Sequence, residues 1–220
     1  MVTNRDAALP IKSEVAAAES DNQIFETLLT MLRLKNPKIC AHSYQVANYA
    51  VSIAAKMRLP KEEIERIRGA AVLHDVGQLS VPNSIIVKVP YLSTREISLY
   101  RSHCNAGAAM LENIEIFVQY IPYILSHHEQ WDGIGYPYHF KGKDIPLAAR
   151  IFSIVDVWDA LTNDHSYRKA WSPEMAVEYI TNQSGKQFDP EVVSVFLEML
   201  DFDRQKAKNK QQTKPLIVLD

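Results

Sequence analysis

Apolar residues in this chain return at the three- and four-residue spacing of a helix face, and nowhere alternate in the two-residue rhythm of a strand. Ile24, Phe25, Leu28, Leu29 and Leu32 make one such stripe. Val46, Tyr49, Ala50 and Ile53 continue the pattern, as do Ile64, Ile67 and Leu73. Helix starts are written alongside. Pro37 and Pro60 open helices, and Ser93-Thr94-Arg95-Glu96 matches a capping box for a helix running through His103. Ser172-Pro173-Glu174 and Asp189-Pro190-Glu191 put a capping residue before a proline at the first helical position, where a missing N–H costs nothing. An apolar helix precedes His127, and another covers Leu147 to Leu161. Asp75 to Leu92, broken by Gly77, Pro82 and Pro90, reads as a loop, and Glu129 to Pro146 as a long Gly/Pro/Tyr-containing connection. With no hairpin signal, the pattern predicts an all-α, bundle-like domain.

The chain has 220 residues, enough for one domain over 21–203 with an Ala-rich arm over 1–20 and a polar Lys/Gln-rich tail over 204–220. The apolar ending Pro215 to Asp220 has no assignment. A formal net charge of -2 argues against a nucleic-acid binder, which ordinarily presents a basic face. No apolar run is long enough to span a bilayer, and the first residues lack the apolar core of a signal peptide, so no membrane partner is expected. Two cysteines, Cys40 and Cys104, are too few for a disulfide framework; they are expected as packed thiols in a reducing cytoplasm.

Chemistry concentrates in the histidines, of which there are seven. His42, His74, His103, His127 and His128 fall where helices should end or face inward. His74-Asp75 closes one apolar helix and His127-His128-Glu129 closes another, which sets both at the mouth of a bundle. Imidazole and carboxylate together suit Fe, Mn, Zn or similar divalent ions. The donors exceed one ion's needs, and a carboxylate such as Asp75 can bridge two ions ~3.5–4 Å apart. Asp156 lies among Ile151, Ile154, Val155 and Trp158. There it is either paired or metal-bound, or it marks a solvent-facing stripe of an amphipathic helix.

His74-Asp75-Val76-Gly77, the run from His127-His128-Glu129 to Asp132-Gly133-Ile134-Gly135-Tyr136-Pro137, Ile145 to Ile151, Asp156 to Thr162 and Phe188-Asp189-Pro190 together resemble the signature of the HD-GYP family, over about residues 22–200. The resemblance implies an HD-domain helical bundle. It implies metal ligands at His42, His74, Asp75, His103, His127, His128 and Asp156, with Asp75 bridging two divalent transition-metal ions, Fe or Mn. It further implies a metal-bridging hydroxide that hydrolyses cyclic di-GMP or a related cyclic dinucleotide to the linear dinucleotide or GMP. Catalytic roles fall to Asp75, Gln78 and Arg168. Substrate contacts fall to Gly135, Tyr136, Pro137, Arg150, His165 and Arg168, and the Gly135-Tyr136-Pro137 loop is a candidate docking surface for a signalling protein.

Three positions depart from the family pattern. Gln78 stands where the family usually has Lys. His165 replaces the first cation of an Arg-Pro-Tyr-Arg-like segment whose last is Arg168. Lys38 stands four residues before His42, where some members carry a third-metal Glu. The expectation is therefore two ions and a thinned phosphate grip. The alternative is a metal- and nucleotide-binding signalling module with weak or no turnover.

Overall fold

The computed structural model describes the backbone of residues 9–88, 91–164 and 168–212, and the side chains of 21–88, 91–164 and 168–201. Eleven α-helices follow one another: α1 Leu9–Lys35, α2 Pro37–Lys56, α3 Lys61–Leu73, α4 Asn83–Ile86, α5 Thr94–Arg101, α6 His103–Leu111, α7 Glu115–Val118, α8 Ile121–Ser126, α9 Leu147–Thr162, α10 Pro173–Asn182 and α11 Pro190–Gln212. No strand is present among the described residues, as the periodicity predicts. No helix among them is long and apolar enough to cross a membrane.

The capping residues act as the sequence suggests. Asn36 accepts from the Lys38 amide ahead of Pro37. Glu96 reaches back to the Ser93 amide at 2.8 Å, and Asp189 accepts from the Glu191 amide at 2.8 Å. Each satisfies a first-turn N–H that has no partner within its helix.

Helix α2 lies at the centre. It packs against α1, α3, α9 and α11, and its apolar face meets theirs in a core containing Leu32, Val46, Ile53, Leu73, Phe152 and Phe196. Trp158 of α9 meets Phe196 of α11 edge to face, with ring centroids 5.4 Å apart. On the far side α6 packs on α8 and on a 3-10 helix, Val76–Ser80.

Four elements differ from the sequence reading. The 75–92 segment, expected as a loop, contains that 3-10 helix and α4. The helix expected to run through His103 breaks at Ser102, whose hydroxyl donates to the Leu99 carbonyl and draws that turn tight. His103 therefore opens a new helix. The apolar run before His127 is two short helices, with Pro122 in the first turn of the second. Helical backbone also reaches back to Leu9 and on to Gln212, into the stretches read as arm and tail, where Ala, Lys and Gln are strong helix formers.

Phe196 is fully buried between α9 and α11. Phe196→Ala should lower unfolding free energy by about 3–5 kcal/mol in urea denaturation. Since Phe196 lies away from the histidine cluster, metal content per folded molecule should stay at the wild-type level.

Candidate metal centre

Three histidines are aimed by the backbone in the same way. His74 follows the last turn of α3, His103 is the first residue of α6, and His127 follows α8. The Nδ1 of each donates to the carbonyl three residues earlier: Ala71 at 2.7 Å, Tyr100 at 2.7 Å and Ile124 at 2.6 Å. A carbonyl only accepts, so Nδ1 carries a proton and Nε2 is the atom turned into the cluster. All three Nε2 atoms converge on Asp75. His74 is 3.5 Å from Oδ2, while His103 and His127 are 3.5 Å and 3.9 Å from Oδ1.

This arrangement suits a cation. The Nε2 atoms of His103 and His127 face each other at 3.3 Å. His74 Nε2 and Asp75 Oδ1 are buried and have no hydrogen-bond partner, which is costly for a polar atom. A proton is a poor filler. Burial, then the surrounding imidazoles, holds His127 well below the usual histidine range and His128 down to about 3. A divalent ion fits the donor set. Two groups of ligand atoms lie within 4.8 Å of one another: His42, His74 and Asp75, and His103, Cys104, His127 and His128. The two oxygens of Asp75 face different groups, which is the arrangement a bridging ligand needs.

His42 behaves differently. Its Nε2 lies 2.8 Å from Asp156 Oδ1 and its Nδ1 2.5 Å from Asp159 Oδ2. Burial disfavours its charge, but the hydrogen bonds to Asp156 and Asp159 outweigh burial and lift its pKa well above the ordinary value. Burial likewise opposes ionisation of Asp156, and the His42 hydrogen bond wins, lowering its pKa. In the metal-free chain His42 is thus an imidazolium held between two carboxylates. An ion taking Nε2 displaces that proton, while Asp159 continues to orient the ring through Nδ1. The sequence reading did not single out Asp159. Its signal was the three-residue spacing from Asp156, which puts both carboxylates on one face of α9.

Gly77 sets how close the two halves come. A Cβ there would lie 1.9 Å from the His103 carbonyl oxygen and 2.5 Å from the Gly107 amide, so the 3-10 helix presses backbone to backbone on α6. That contact holds Asp75 against His103.

An open cavity of about 610 Å³ lies over the cluster. His42, Asp75, His128 and Asp156 reach it, with Gln78 and Tyr100 beside them. Asp159 and Asp164 add carboxylates, and Lys38, one helical turn before His42, is the only lysine or arginine lining it among the described residues. The sequence reading treated Lys38 only as an obstacle to a third ion.

The other expected contacts are placed elsewhere. Gly135 folds tightly on the backbone of Glu129 and Gln130, and the Tyr136–Pro137 peptide bond is cis. The Tyr136 ring lies 4.8 Å from that of His128, with Arg101 over its other side. Tyr136 and Pro137 line a separate cleft of about 440 Å³ with Ile97 and Arg101. The loop therefore packs against His128, a candidate ligand, and does not line the main cavity. Glu129 is buried and anchors the loop through the Tyr138 amide at 2.7 Å. Arg150 pairs with Asp189 and donates to the Ile145 carbonyl, tying α9 to the start of α11. Arg168 donates to the carbonyls of Ala160 and Leu161 at the end of α9. His165 lies outside the described residues.

A family model described as an HD domain matches residues 26–192. The chain is similar to the 3'3'-cGAMP-specific phosphodiesterase 2 of Vibrio cholerae, at 32% identity over 83% of this chain and 35% of that protein. It is also similar to the cyclic di-GMP phosphodiesterase response regulator RpfG of Xanthomonas campestris, at 33% identity over 81% of this chain and 48% of that one. The chain spans between about a third and a half of these relatives. The crystal structure of a cyclic GMP-AMP specific phosphodiesterase of V. cholerae superposes with a TM-score of 0.60 at 22% identity, covering 80% of this chain and 49% of that one, which establishes likeness of fold.

Metal binding at the His42 group should expel the Nε2 proton. Calorimetric titration of metal-free protein with Mn²⁺ in buffers of different protonation enthalpy should read about one proton released per ion at that group, with affinity rising about tenfold per pH unit. The release persists through neutral pH, because the pKa is raised, and fades as pH climbs through the raised value. His42→Gln should abolish it. Equal heats in every buffer would place His42 outside the centre.

Proposed function

The chain belongs to the HD domain family, and on that footing we propose that it hydrolyses cyclic dinucleotides, cyclic di-GMP or 3'3'-cGAMP, with two divalent transition-metal ions, Fe or Mn. One ion would be held by His42, His74, Asp75 and Asp156, the other by Asp75, His103, His127 and His128. The observation that carries this reading is the pair of buried, unpartnered donors, His74 Nε2 and Asp75 Oδ1, of which Asp75 lines an open cavity.

When bound, the ions supply Lewis acidity and neutralise the phosphoryl group under attack. The residues of the chain do the positioning. Asp75 fixes the spacing of the two groups, and Asp159 fixes the ring of His42. The Asp75, Asp156, Asp159 and Asp164 carboxylates make the empty cavity repel a dianionic ligand. Substrate binding itself therefore depends on metal. Beyond the ions, the substrate's second phosphate has Lys38 as its cation and the Gln78 amide as a neutral donor. Arg168 is committed to the end of α9. That sparse grip supports a second reading, a nucleotide-binding module of slow turnover.

Metal-loaded protein should convert cyclic di-GMP or 3'3'-cGAMP to linear product, and a chelator should stop it. Asp75→Asn should lower kcat/KM by on the order of 1,000-fold. Lys38→Gln should raise KM about tenfold, from one lost charge-assisted contact. Gln78→Lys should raise activity by ~10–100-fold. Tight nucleotide binding with negligible turnover would favour the module, and chelator-resistant hydrolysis would overturn the metal reading.

A further inference from the structure

One donor in the cluster has no part in the reading above. Cys104 is fully buried, and its Sγ lies 3.6 Å from His103 Nε2. It falls within the same 4.8 Å group as the ring nitrogens of His127 and His128. Asp75 Oδ1, buried and unpartnered, lies 3.5 Å from the same His103 Nε2.

Two of these separations fit pairs of donors on one ion at near-tetrahedral angles, while His127 Nε2 to Asp75 Oδ1, at 3.9 Å, is longer. Metal–nitrogen bonds of ~2.0–2.1 Å and a metal–sulfur bond of ~2.3 Å at tetrahedral angles set nitrogen about 3.3 Å from nitrogen and about 3.6 Å from sulfur. The same bonds at right angles would give about 2.9 Å and about 3.1 Å. The observed values are 3.3 Å for His103 to His127 and 3.6 Å for His103 to Cys104.

We propose that Cys104 is a sulfur ligand of the second ion, beside Asp75, His103, His127 and His128, and that it biases this position toward a thiophilic metal such as Zn, Fe or Co over Mn. The proposal rests on the two-ion reading above. Binding exchanges the S–H bond for a metal–sulfur bond, and the proton leaves to solvent. Burial pushes the thiol's pKa up, and Sγ lies 3.6 Å from His103 Nε2. A dication competes for both atoms and reverses that balance. A thiolate also lowers the charge at its ion relative to a fourth imidazole. The two positions then differ in affinity and metal preference, although they share Asp75.

The probe is Co²⁺, whose thiolate complexes show a sulfur-to-metal charge-transfer band in the near ultraviolet. Metal-free protein titrated with Co²⁺ should take up two equivalents and develop that band. Cys104→Ser should lose the band while visible cobalt absorption remains, and should shift competition at the weaker position toward Mn²⁺ by about tenfold or more. Cys40→Ser should keep the band, which excludes the other thiol. Two equivalents bound with no charge-transfer band would overturn the sulfur ligand and leave the two-ion centre standing. Failure to bind Co²⁺ at all would overturn both.

Discussion

The organising constraint in this molecule is a buried carboxylate, Asp75, on which the Nε2 atoms of His74, His103 and His127 converge. The charge of Asp75 is held against its burial by His74, His103, His127 and His42, which keep its pKa well below the ordinary carboxylate value. Those rings come from four separate helix segments. The centre therefore forms only when α2, the end of α3, the start of α6 and the end of α8 have all docked. Packing of α2 against α3 and α9 brings His42 to His74 and Asp156, and packing of α6 on α8 brings His103 to His127. The hydrophobic core and the polar cluster are consequences of the same helix arrangement.

Much of this was legible in the sequence because it is local. Helix periods, prolines at first positions and the capping residues are short-range facts, and most of the elements followed from them. The His-Asp and His-His-Glu runs were legible for the same reason, since a ligand at a helix end is oriented by its own last turn, here through Nδ1 to the carbonyl three residues back. What the sequence concealed depends on which helix faces meet. Asp159 acquires its role because α9 crosses α2 at His42. Lys38 becomes a cavity residue because the first turn of α2 overhangs the cluster. Cys104 is a packed thiol, as expected, but its 3.6 Å approach to the ring nitrogen of His103 depends on how that ring is turned, which the sequence does not display. Arg150 and Arg168 illustrate the converse. Both looked available for phosphate, and both are taken by the ends of helices.

Charge explains how the site is divided. Its inner half is rich in donors and carboxylates and has a strong demand for cations. Its outer half, among the described residues, has the Lys38 ammonium, the amides of Asn36, Gln45, Gln78 and Asn163, and the rim of α9. On the proposed reading, such a division ties nucleotide affinity to metal occupancy. The Gly135-Tyr136-Pro137 loop belongs to neither half. It supports His128 from behind through Tyr136, with Arg101 stacked beyond, so a disturbance of that outer cleft has a direct mechanical path to one ligand.

The backbone contact at Gly77 gives the two halves different evolutionary latitude. Where peptide lies against peptide, no side chain can be exchanged to widen or shift the fit, and any added carbon separates Asp75 from His103. The floor is consequently fixed in shape for as long as it remains useful. The rim, built from the exposed side chains of Lys38, Asn163 and Asp164 beside Gln78, can be rewritten one residue at a time without disturbing it. A lineage carrying this domain can thus explore new ligands through its edge while its chemistry is inherited intact.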